Sequence, residues 1–189
     1  MSLGILILTG GKSSRMNGFD KSQLMYQNQT FLEKLCQEFH SYQYKYISDN
    51  QNRKHKSDDY QVIVDEYQEI GPISGIVSTF HQTDMDYLFV VACDMPYMTK
   101  QLLEILKKQI NDYDGIFVYN QKYLYPLGAI YSRNMLTVME KHIQDRKYSL
   151  ISCIQECHVL KLSLEQLDID EHVFDNINTI QDYKNISTE

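Results

Sequence analysis

Long apolar runs and cysteines are both scarce in this chain of 189 residues. The longest apolar runs, residues 5–8 and 88–92, fall far below the roughly 20 residues that a membrane-spanning helix needs. The N-terminal region lacks the basic stretch and the small-residue cleavage site of a signal peptide. In a chain with no sign of export, the four cysteines are expected to be reduced thiols. These absences predict a cytoplasmic protein that is not attached to a membrane.

Basic residues are a minority among the charged ones. Lysine and arginine number 18 and aspartate and glutamate 25, which gives a formal net charge of −7. Proteins that bind nucleic acid or anionic membranes need a cationic surface, so we expect neither kind of partner. A local basic pocket for a small anion remains compatible with this charge. The length, with 43% apolar and 23% charged residues, predicts a single globular domain over residues 1–189.

Short apolar strands alternate with helical segments along the chain. The first strand, at 4–8, is apolar on both faces, as central strands of parallel sheets are. Thr30 and Glu33 form a capping box that begins a helix, and Thr99 caps another. The alternation predicts an α/β fold with a mostly parallel sheet. Further strands are predicted at 46–48, 62–64, 87–92, 116–118, 128–131 and 159–162, with a polar loop at 49–59 and further helices at 71–82, 134–142, 150–156 and from Thr179.

The loop after the first strand combines glycine with positive charge. Ligands of such sheets bind at the carboxyl ends of the strands, so we expect the loops after Leu8, Val64 and Ala92 to converge. Glycines in the first loop let the backbone approach a ligand closely, and amides beside positive charge suit phosphate groups. A glycine-rich surface turn with solvated lysines is the alternative. The glycines are Gly10, Gly11 and Gly18, and the basic residues are Lys12, Arg15 and Lys21.

Two commoner phosphate-binding motifs are excluded in this loop. Leu6 stands where a P-loop needs its first glycine, and Lys12 stands where a dinucleotide-binding fingerprint needs its second. If this loop binds phosphate, it does so with a motif other than these two.

Carboxylates directly follow two of the predicted strands. Asp94 comes after the strand that ends at Ala92, and Pro96 prevents a helix from starting at once. A carboxylate fixed there can hold Mg²⁺ beside a phosphate, because Mg²⁺ prefers oxygen ligands. A turn-capping role is the alternative. Asp65 follows Val64 and has the same two interpretations, a ligand contact or a turn residue.

These motifs together resemble the molybdenum cofactor guanylyltransferases, a family of nucleotidyltransferases. The segment at 8–21 is similar to the family signature L-A-G-G-x-S-x-R-M-G-x-D-K, and further motifs follow in order over nearly the whole chain. Thr9 and Asn17 depart from the signature, Tyr125 stands where the family often has histidine, and Ile180 replaces a late proline. The further motifs are Asp65 with Gly71-Pro72-Ile73-Ser74-Gly75, Cys93-Asp94-Met95-Pro96, Tyr125-Pro126 and Asn176-Ile177-Asn178-Thr179.

The resemblance implies a Rossmann-like three-layer nucleotidyltransferase fold and a specific reaction. An enzyme of this family transfers GMP from GTP to the terminal phosphate of molybdopterin and releases pyrophosphate, with Mg²⁺ as its cofactor. Arg15, Lys21 and Asp94 would be the catalytic residues, and Asp94 would hold the metal. The nucleotide-binding residues would be Leu8, Thr9, Gly10, Gly11, Lys12, Ser13, Lys21, Asp65, Gly71, Gly75 and Asp94.

The resemblance leaves the base and the partners open. A cytidylyltransferase acting on molybdopterin, or another small nucleotidyltransferase, would share these motifs, and a nucleotide-binding regulator is the non-enzyme alternative. We expect a monomer that makes transient contact with cofactor-delivery proteins or molybdoenzymes.

Three other groups of residues have simpler interpretations. Cys153, Cys157 and His158 have a spacing that suggests a metal site, but without a second cysteine pair core thiols are favoured. The six histidines are scattered singly, which predicts surface or edge positions. Tyr123 and Tyr125 could border a flat pterin.

Overall fold

The structure is a computed structural model that describes residues 1–9, 24–26, 28–49, 59–179 and 182–183. Within them, the predicted alternation of strands and helices is confirmed. The strands are β1 (Leu3–Leu8), β2 (Met25–Tyr26), β3 (Gln29–Thr30), β4 (Lys45–Asp49), β5 (Gln61–Val64), β6 (Tyr87–Ala92), β7 (Gly115–Tyr119), β8 (Leu124–Ser132) and β9 (Val159–Ser163). The helices are α1 (Phe31–Glu38), α2 (Pro72–Gln82), α3 (Lys100–Lys107), α4 (Leu136–Gln144) and α5 (Leu150–Gln155).

Seven of these strands form one sheet in the order β5-β4-β1-β6-β8-β7-β9. Neighbours are parallel from β5 through β6 and again between β7 and β9. The exception is β8, which runs antiparallel to both β6 and β7 because it returns from β7 as a hairpin. The sheet is thus mostly parallel, as predicted. Its strand order reverses at β1, which lies between β4 and β6.

Apolar side chains fill both faces of the sheet and give the fold three layers. Alternate residues of a strand point to opposite faces, so Ile5 of β1 belongs to one core and Leu6 to the other. The first core packs beneath α1 and α3, and the second beneath α2, α4 and α5. The predicted α/β architecture is therefore confirmed. Among the described residues, no helix has the length and apolar character that crossing a membrane would require.

The starts of two helices follow directly from the sequence. The Thr30 hydroxyl accepts a hydrogen bond from the Glu33 amide (3.1 Å), and the Glu33 carboxylate accepts one from the Thr30 amide (2.7 Å). The predicted capping box is thus closed. The Thr99 hydroxyl likewise accepts from the Leu102 amide at 3.5 Å. These caps satisfy amides that the first turn of a helix leaves without a partner.

Two expectations about polar residues are wrong, and one helix is only partly described. Asp49 does not open a polar loop: it is the last residue of β4, is 1% exposed and pairs with Val64 of β5. His142 is 3% exposed rather than at the surface, and its Nε2 lies 2.9 Å from Glu156 Oε1. The helix predicted from Thr179 lies largely outside the described residues.

The four cysteines are free thiols. Burial raises the pKa of Cys153 and Cys157 to about 11. A thiol with so high a pKa carries almost no thiolate at neutral pH, which makes it a poor metal ligand and nucleophile. The environment of both residues therefore favours a packing role.

His81, in the last turn of α2, joins three elements of the second helical layer. Its Nδ1 lies 2.8 Å from the Glu66 carboxylate, in the loop after β5, and its Nε2 lies 2.8 Å from the Glu140 carboxylate of α4. Both ring nitrogens donate at once only when the imidazole is protonated. Partial burial lowers the pKa of His81, but its hydrogen bonds to Glu66 and Glu140 outweigh that effect, and the net pKa is raised.

This bridge predicts a pH-dependent contribution to stability. The folded-state pKa of His81 exceeds the unfolded value of about 6.5, so the stabilisation is complete below that pH. It is lost as the pH rises through the folded pKa. Between pH 6 and pH 9, we expect the free energy of unfolding to fall more in the wild type than in His81→Gln.

Urea denaturation at closely spaced pH values measures this difference. His40→Gln is the matched control, since the exposed His40 ring bonds the backbone carbonyl of Gln37. Parallel pH profiles for the wild type and His81→Gln would contradict the prediction.

Candidate functional site

The carboxyl ends of β1, β4 and β6 lie in register at one edge of the sheet. Leu8 is opposite Ser48 of β4 on one side and Ala92 of β6 on the other. The ladder continues past the strand ends, because the Thr9 amide donates to the Ser48 carbonyl (3.2 Å) and the Cys93 amide donates to the Leu8 carbonyl (2.9 Å). This edge is where the strand order reverses, the usual ligand site of open α/β sheets. The ends of the strands that precede the three loops thus lie at one edge of the sheet, and Thr9 is the one residue of the predicted loop 9–20 that the structure describes.

Asp65 is fixed at the end of β5 by bonds to β4. Its amide donates to the Asp49 carbonyl (3.1 Å), and its carboxylate accepts from the Ser48 hydroxyl (2.6 Å). The side chain is only 7% exposed. Burial raises the pKa of Asp65, the Ser48 hydrogen bond lowers it, and the nearby Asp49 carboxylate raises it, with a net rise. The carboxylates of Asp49 and Asp65 therefore lie close together where β4 and β5 end.

The loop between Asp65 and α2 is held by two serines of the helix. The Ser78 hydroxyl accepts from the Glu66 amide at 2.8 Å. The Ser74 hydroxyl donates to the Tyr67 carbonyl at 2.6 Å. These bonds satisfy backbone groups of the loop that lie outside any strand or helix, and they keep the segment after Asp65 against α2.

Gly71 and Gly75 have different structural reasons to be glycine. Gly71 precedes α2 with φ +82°, a conformation that other residues adopt only at a cost. Gly75 lies inside α2, where an added Cβ would come within 2.4 Å of Ser48 Oγ and 2.6 Å of Leu8 Cδ2. The absence of a side chain there brings α2 against the ends of β1 and β4. The nucleotide contacts expected of both glycines stay predictions.

Asp94 lies in a tight turn after β6, at the same edge as Thr9. The Met95 amide donates to the Ala92 carbonyl (3.1 Å), and the Asp94 carbonyl accepts from the Ile177 amide (2.8 Å). Asp94 itself is half-buried, whereas Met95 is 2% exposed and anchors the turn in the core. The structure thus places Asp94 and the late Asn176–Thr179 motif side by side.

Thr9 shows why one departure from the family signature is tolerated. Its hydroxyl donates to the Ser48 carbonyl at 2.7 Å, beside the bond from its own amide. Threonine therefore adds a tie to β4 at the start of the loop. The other residues expected in this loop, namely Gly10, Gly11, Lys12, Ser13, Arg15 and Lys21, lie outside the described residues.

Sequence reasoning missed Ser48 and Asp49 as residues of the site. Ser48 was predicted only as the last residue of a strand and Asp49 was assigned to a polar loop, yet both lie at the end of β4 and are 1% exposed. The sequence did contain a usable pattern, because polar residues directly follow Ile47 just as Asp65 directly follows Val64. No comparable pattern in the sequence predicts the contact between Ile177 and Asp94.

Residues 5–158 match the family model for the MobA-like NTP transferase domain. The chain belongs to this family. As a MobA-like NTP transferase it is a nucleotidyltransferase, and the resemblance drawn from its motifs is confirmed. The site described above has Leu8, Thr9, Asp65, Gly71, Gly75 and Asp94 around one sheet edge, where the motifs predicted them.

Individual relatives extend the match over nearly the whole chain. A protein of Clostridium perfringens (strain 13), described as a probable molybdenum cofactor guanylyltransferase, is 34% identical over 95% of this chain and 93% of its own. The crystal structure of molybdopterin-guanine dinucleotide biosynthesis protein A from Archaeoglobus fulgidus is 22% identical, with a TM-score of 0.86 over 98% of this chain and 97% of that one.

A solved structure of a cytidylyltransferase has the same fold. The crystal structure of 2-C-methyl-D-erythritol 4-phosphate cytidylyltransferase from Thermus thermophilus is 9% identical, with a TM-score of 0.75 over 100% of this chain and 98% of that one. The fold alone therefore does not fix the base or the acceptor.

The buried Asp65 predicts opposite effects on stability and on nucleotide binding. Because its folded pKa is raised, the ionised carboxylate is less favourable in the folded state than in the unfolded chain at neutral pH. We expect Asp65→Asn, which still accepts from Ser48, to keep or raise the midpoint of thermal unfolding. Loss of a charged acceptor should weaken nucleoside triphosphate binding by roughly tenfold or more.

Calorimetric titration and a thermal melt of the same preparation measure the two effects. Asp112→Asn, at an exposed position, removes the same charge elsewhere and should change neither. A variant that melts well below the wild type, or that binds nucleotide equally well, would contradict this assignment of Asp65.

Proposed function

We propose that this chain, as a single domain over residues 1–189, transfers GMP from GTP to the terminal phosphate of molybdopterin, forming the guanine dinucleotide cofactor and pyrophosphate. The observation that carries the proposal is the placement of Thr9, Asp65 and Asp94 along one sheet edge, at the switch point of a MobA-like NTP transferase. The 34% identity to a probable molybdenum cofactor guanylyltransferase supports the choice of substrates.

Charge decides how GTP lies along the edge. The Asp49 and Asp65 carboxylates at the end of β4 and β5 repel phosphate and favour hydrogen-bond donors, which the guanine and the ribose supply. The phosphates belong over the loop after β1, where Lys12, Arg15 and Lys21 add positive charge. This orientation directs the α-phosphate toward Asp94.

The chemical step needs no covalent bond to the protein. An oxygen of the molybdopterin phosphate donates an electron pair to the α-phosphorus of GTP. The bond from that phosphorus to the oxygen bridging the β-phosphate breaks, and pyrophosphate leaves with the bonding electrons. The protein contributes alignment of the two phosphates and neutralisation of their charge. We assign the neutralisation to Arg15 and Lys21, and amide donation to residues 10–13.

The donor chemistry at Asp94 fits Mg²⁺. A carboxylate at a strand end offers hard oxygen ligands, and such a ligand suits an ion held by one or two carboxylates together with substrate phosphates. When bound, Mg²⁺ stabilises charge on the phosphate oxygens.

The setting that we propose has one part that follows from charge: with a net charge of −7, no nucleic-acid partner is expected. We propose in addition that the enzyme works as a cytoplasmic monomer. It would pass its product on through transient contact with delivery proteins or molybdoenzymes.

Pyrophosphate release by the purified protein tests the proposal. Mg²⁺ and molybdopterin are supplied, and GTP is compared with CTP, ATP and UTP. Release with GTP alone is expected. A preference for CTP would overturn the choice of base and favour a cytidylyltransferase. Nucleotide binding without release, with an acceptor that a known enzyme can use, would indicate a regulator.

Loss of charge at the reacting phosphates predicts a large loss of turnover. Lys21→Ala and Asp94→Asn should each lower kcat by roughly 10²-fold or more, the scale of removing one electrostatic contact to a transition state. Lys108→Ala and Asp112→Asn make the same charge changes at exposed positions and should leave kcat unchanged. Wild-type turnover in either site variant, with unaltered thermal unfolding, would refute the assigned role of that residue.

A further inference from the structure

The acceptor side of the site is bounded by a segment near the C-terminus, residues 171–178. This inference rests on the proposed function. If the nucleotide lies over β1, β4 and β5, the acceptor phosphate approaches from the other half of the edge, over β6 and β8. Residues 171–178 border that half, because Ile177 donates to the Asp94 carbonyl and Phe174 packs beside Gly128 of β8.

Two buried side chains anchor the segment to the rest of the fold. Ile177 is 4% exposed and packs on Phe31, at the start of α1. Phe174 is also 4% exposed, and an added Cβ on Gly128 would lie 3.0 Å from its ring. Between these anchors lie Asp175 and Asn176, both exposed.

Tyr125 contacts this segment with both its ring and its hydroxyl. The ring stacks on Phe174, with centroids 4.1 Å apart and planes inclined by 17°. The hydroxyl donates to the Glu171 carboxylate at 2.6 Å and accepts from Asn120 Nδ2 at 2.8 Å. Tyr125 is therefore joined to the first turn of the segment by a stacked ring and a charge-assisted hydrogen bond.

The Asn120 side chain, which bonds both Tyr125 and Glu171, is itself held in place. Its carboxamide oxygen accepts from the amides of Lys122 (2.9 Å) and Tyr123 (2.7 Å), which fixes the side chain in the β7–β8 turn. Its Nδ2 donates to Tyr125 and to Glu171. Burial and the hydrogen bond to Glu171 raise the pKa of Tyr125, so its hydroxyl remains a donor at neutral pH.

We propose that Tyr125 is a positioning residue for the acceptor substrate: by holding Glu171 and Phe174, it fixes residues 171–178 against the Asp94 turn and so sets the wall that the acceptor phosphate meets. The Tyr125 side chain acts through that segment. Its effect is confined to the acceptor side, because Asp65 follows β5, which lies beyond β1 and β4 from β6 and β8.

Four variants separate this role from general support of the fold. Tyr125→Phe keeps the stacked ring and removes the hydroxyl, and Glu171→Ala removes its partner. Glu171→Gln still offers an oxygen to Tyr125 and is the conservative rescue. Tyr119→Phe is the matched control, because Tyr119 lies on the same hairpin, is 39% exposed and has no assigned role in the site.

Three measurements are made on each variant: steady-state pyrophosphate release with molybdopterin varied, calorimetric GTP binding without acceptor, and amide hydrogen exchange over residues 171–178. In Tyr125→Phe and Glu171→Ala we expect the acceptor KM to rise roughly tenfold, the scale of one hydrogen bond to a charged group. The GTP dissociation constant and kcat should stay near wild-type values. Exchange in the segment should become faster, while Glu171→Gln and Tyr119→Phe should resemble the wild type.

Other outcomes overturn the proposal. An unchanged acceptor KM in Tyr125→Phe, whether or not exchange is faster, shows that the contact does not serve the acceptor. An equal loss of GTP affinity shows a merely structural role. If the wild type releases no pyrophosphate with any nucleotide, the proposed function is wrong, and this inference, which rests on it, is wrong as well. If the wild type is active and Tyr125→Phe has the same acceptor KM, only this inference is wrong.

Discussion

The parallel pairing of β1 with β4 and β6 is the constraint on which the site depends. Because Leu8 stands opposite both Ser48 and Ala92, three loops leave the sheet at the same level. Main-chain bonds from Thr9 and Cys93 carry that alignment into the loops themselves. A shift of one residue in either pairing would turn the side chains of the strand to the opposite face, so the same register that buries the core also brings the site together.

Packing at the edge is close because of Gly75. Its bare backbone lets α2 rest on Ser48 and Leu8, and the same helix provides Ser74 and Ser78 to hold the loop that follows Asp65. A helix in one layer thus holds the loop that follows Asp65. The geometry of this edge is set by backbone alignment together with the hydroxyl groups of Ser48, Ser74 and Ser78.

Local patterns in the sequence were enough for the seven strands of the main sheet, the helix caps and the carboxylates that follow Val64 and Ala92, but they missed the two-residue strands β2 and β3. The capping box of Thr30 and Glu33 involves neighbours in the chain, and the apolar strand before Asp94 is read without knowing the fold. Asp49 was misassigned because a charged residue usually ends a strand, and only the pairing with β5 explains its burial. The contacts of Ile177 with Asp94 and of Tyr125 with Glu171 join distant parts of the chain, so no local pattern predicts them.

The dependence of the Asp94 turn on Ile177 also orders the assembly of the site in time. A ribosome delivers β1, β4, β5 and β6 well before residues 171–178, and these four strands are neighbours in the finished sheet. The nascent chain can therefore align the ends of β1, β4, β5 and β6 while the Asp94 carbonyl still lacks the Ile177 amide. The half of the edge that carries Asp65 is built within residues 1–92, whereas the half over β8 is bordered by residues 171–178, which are synthesised later.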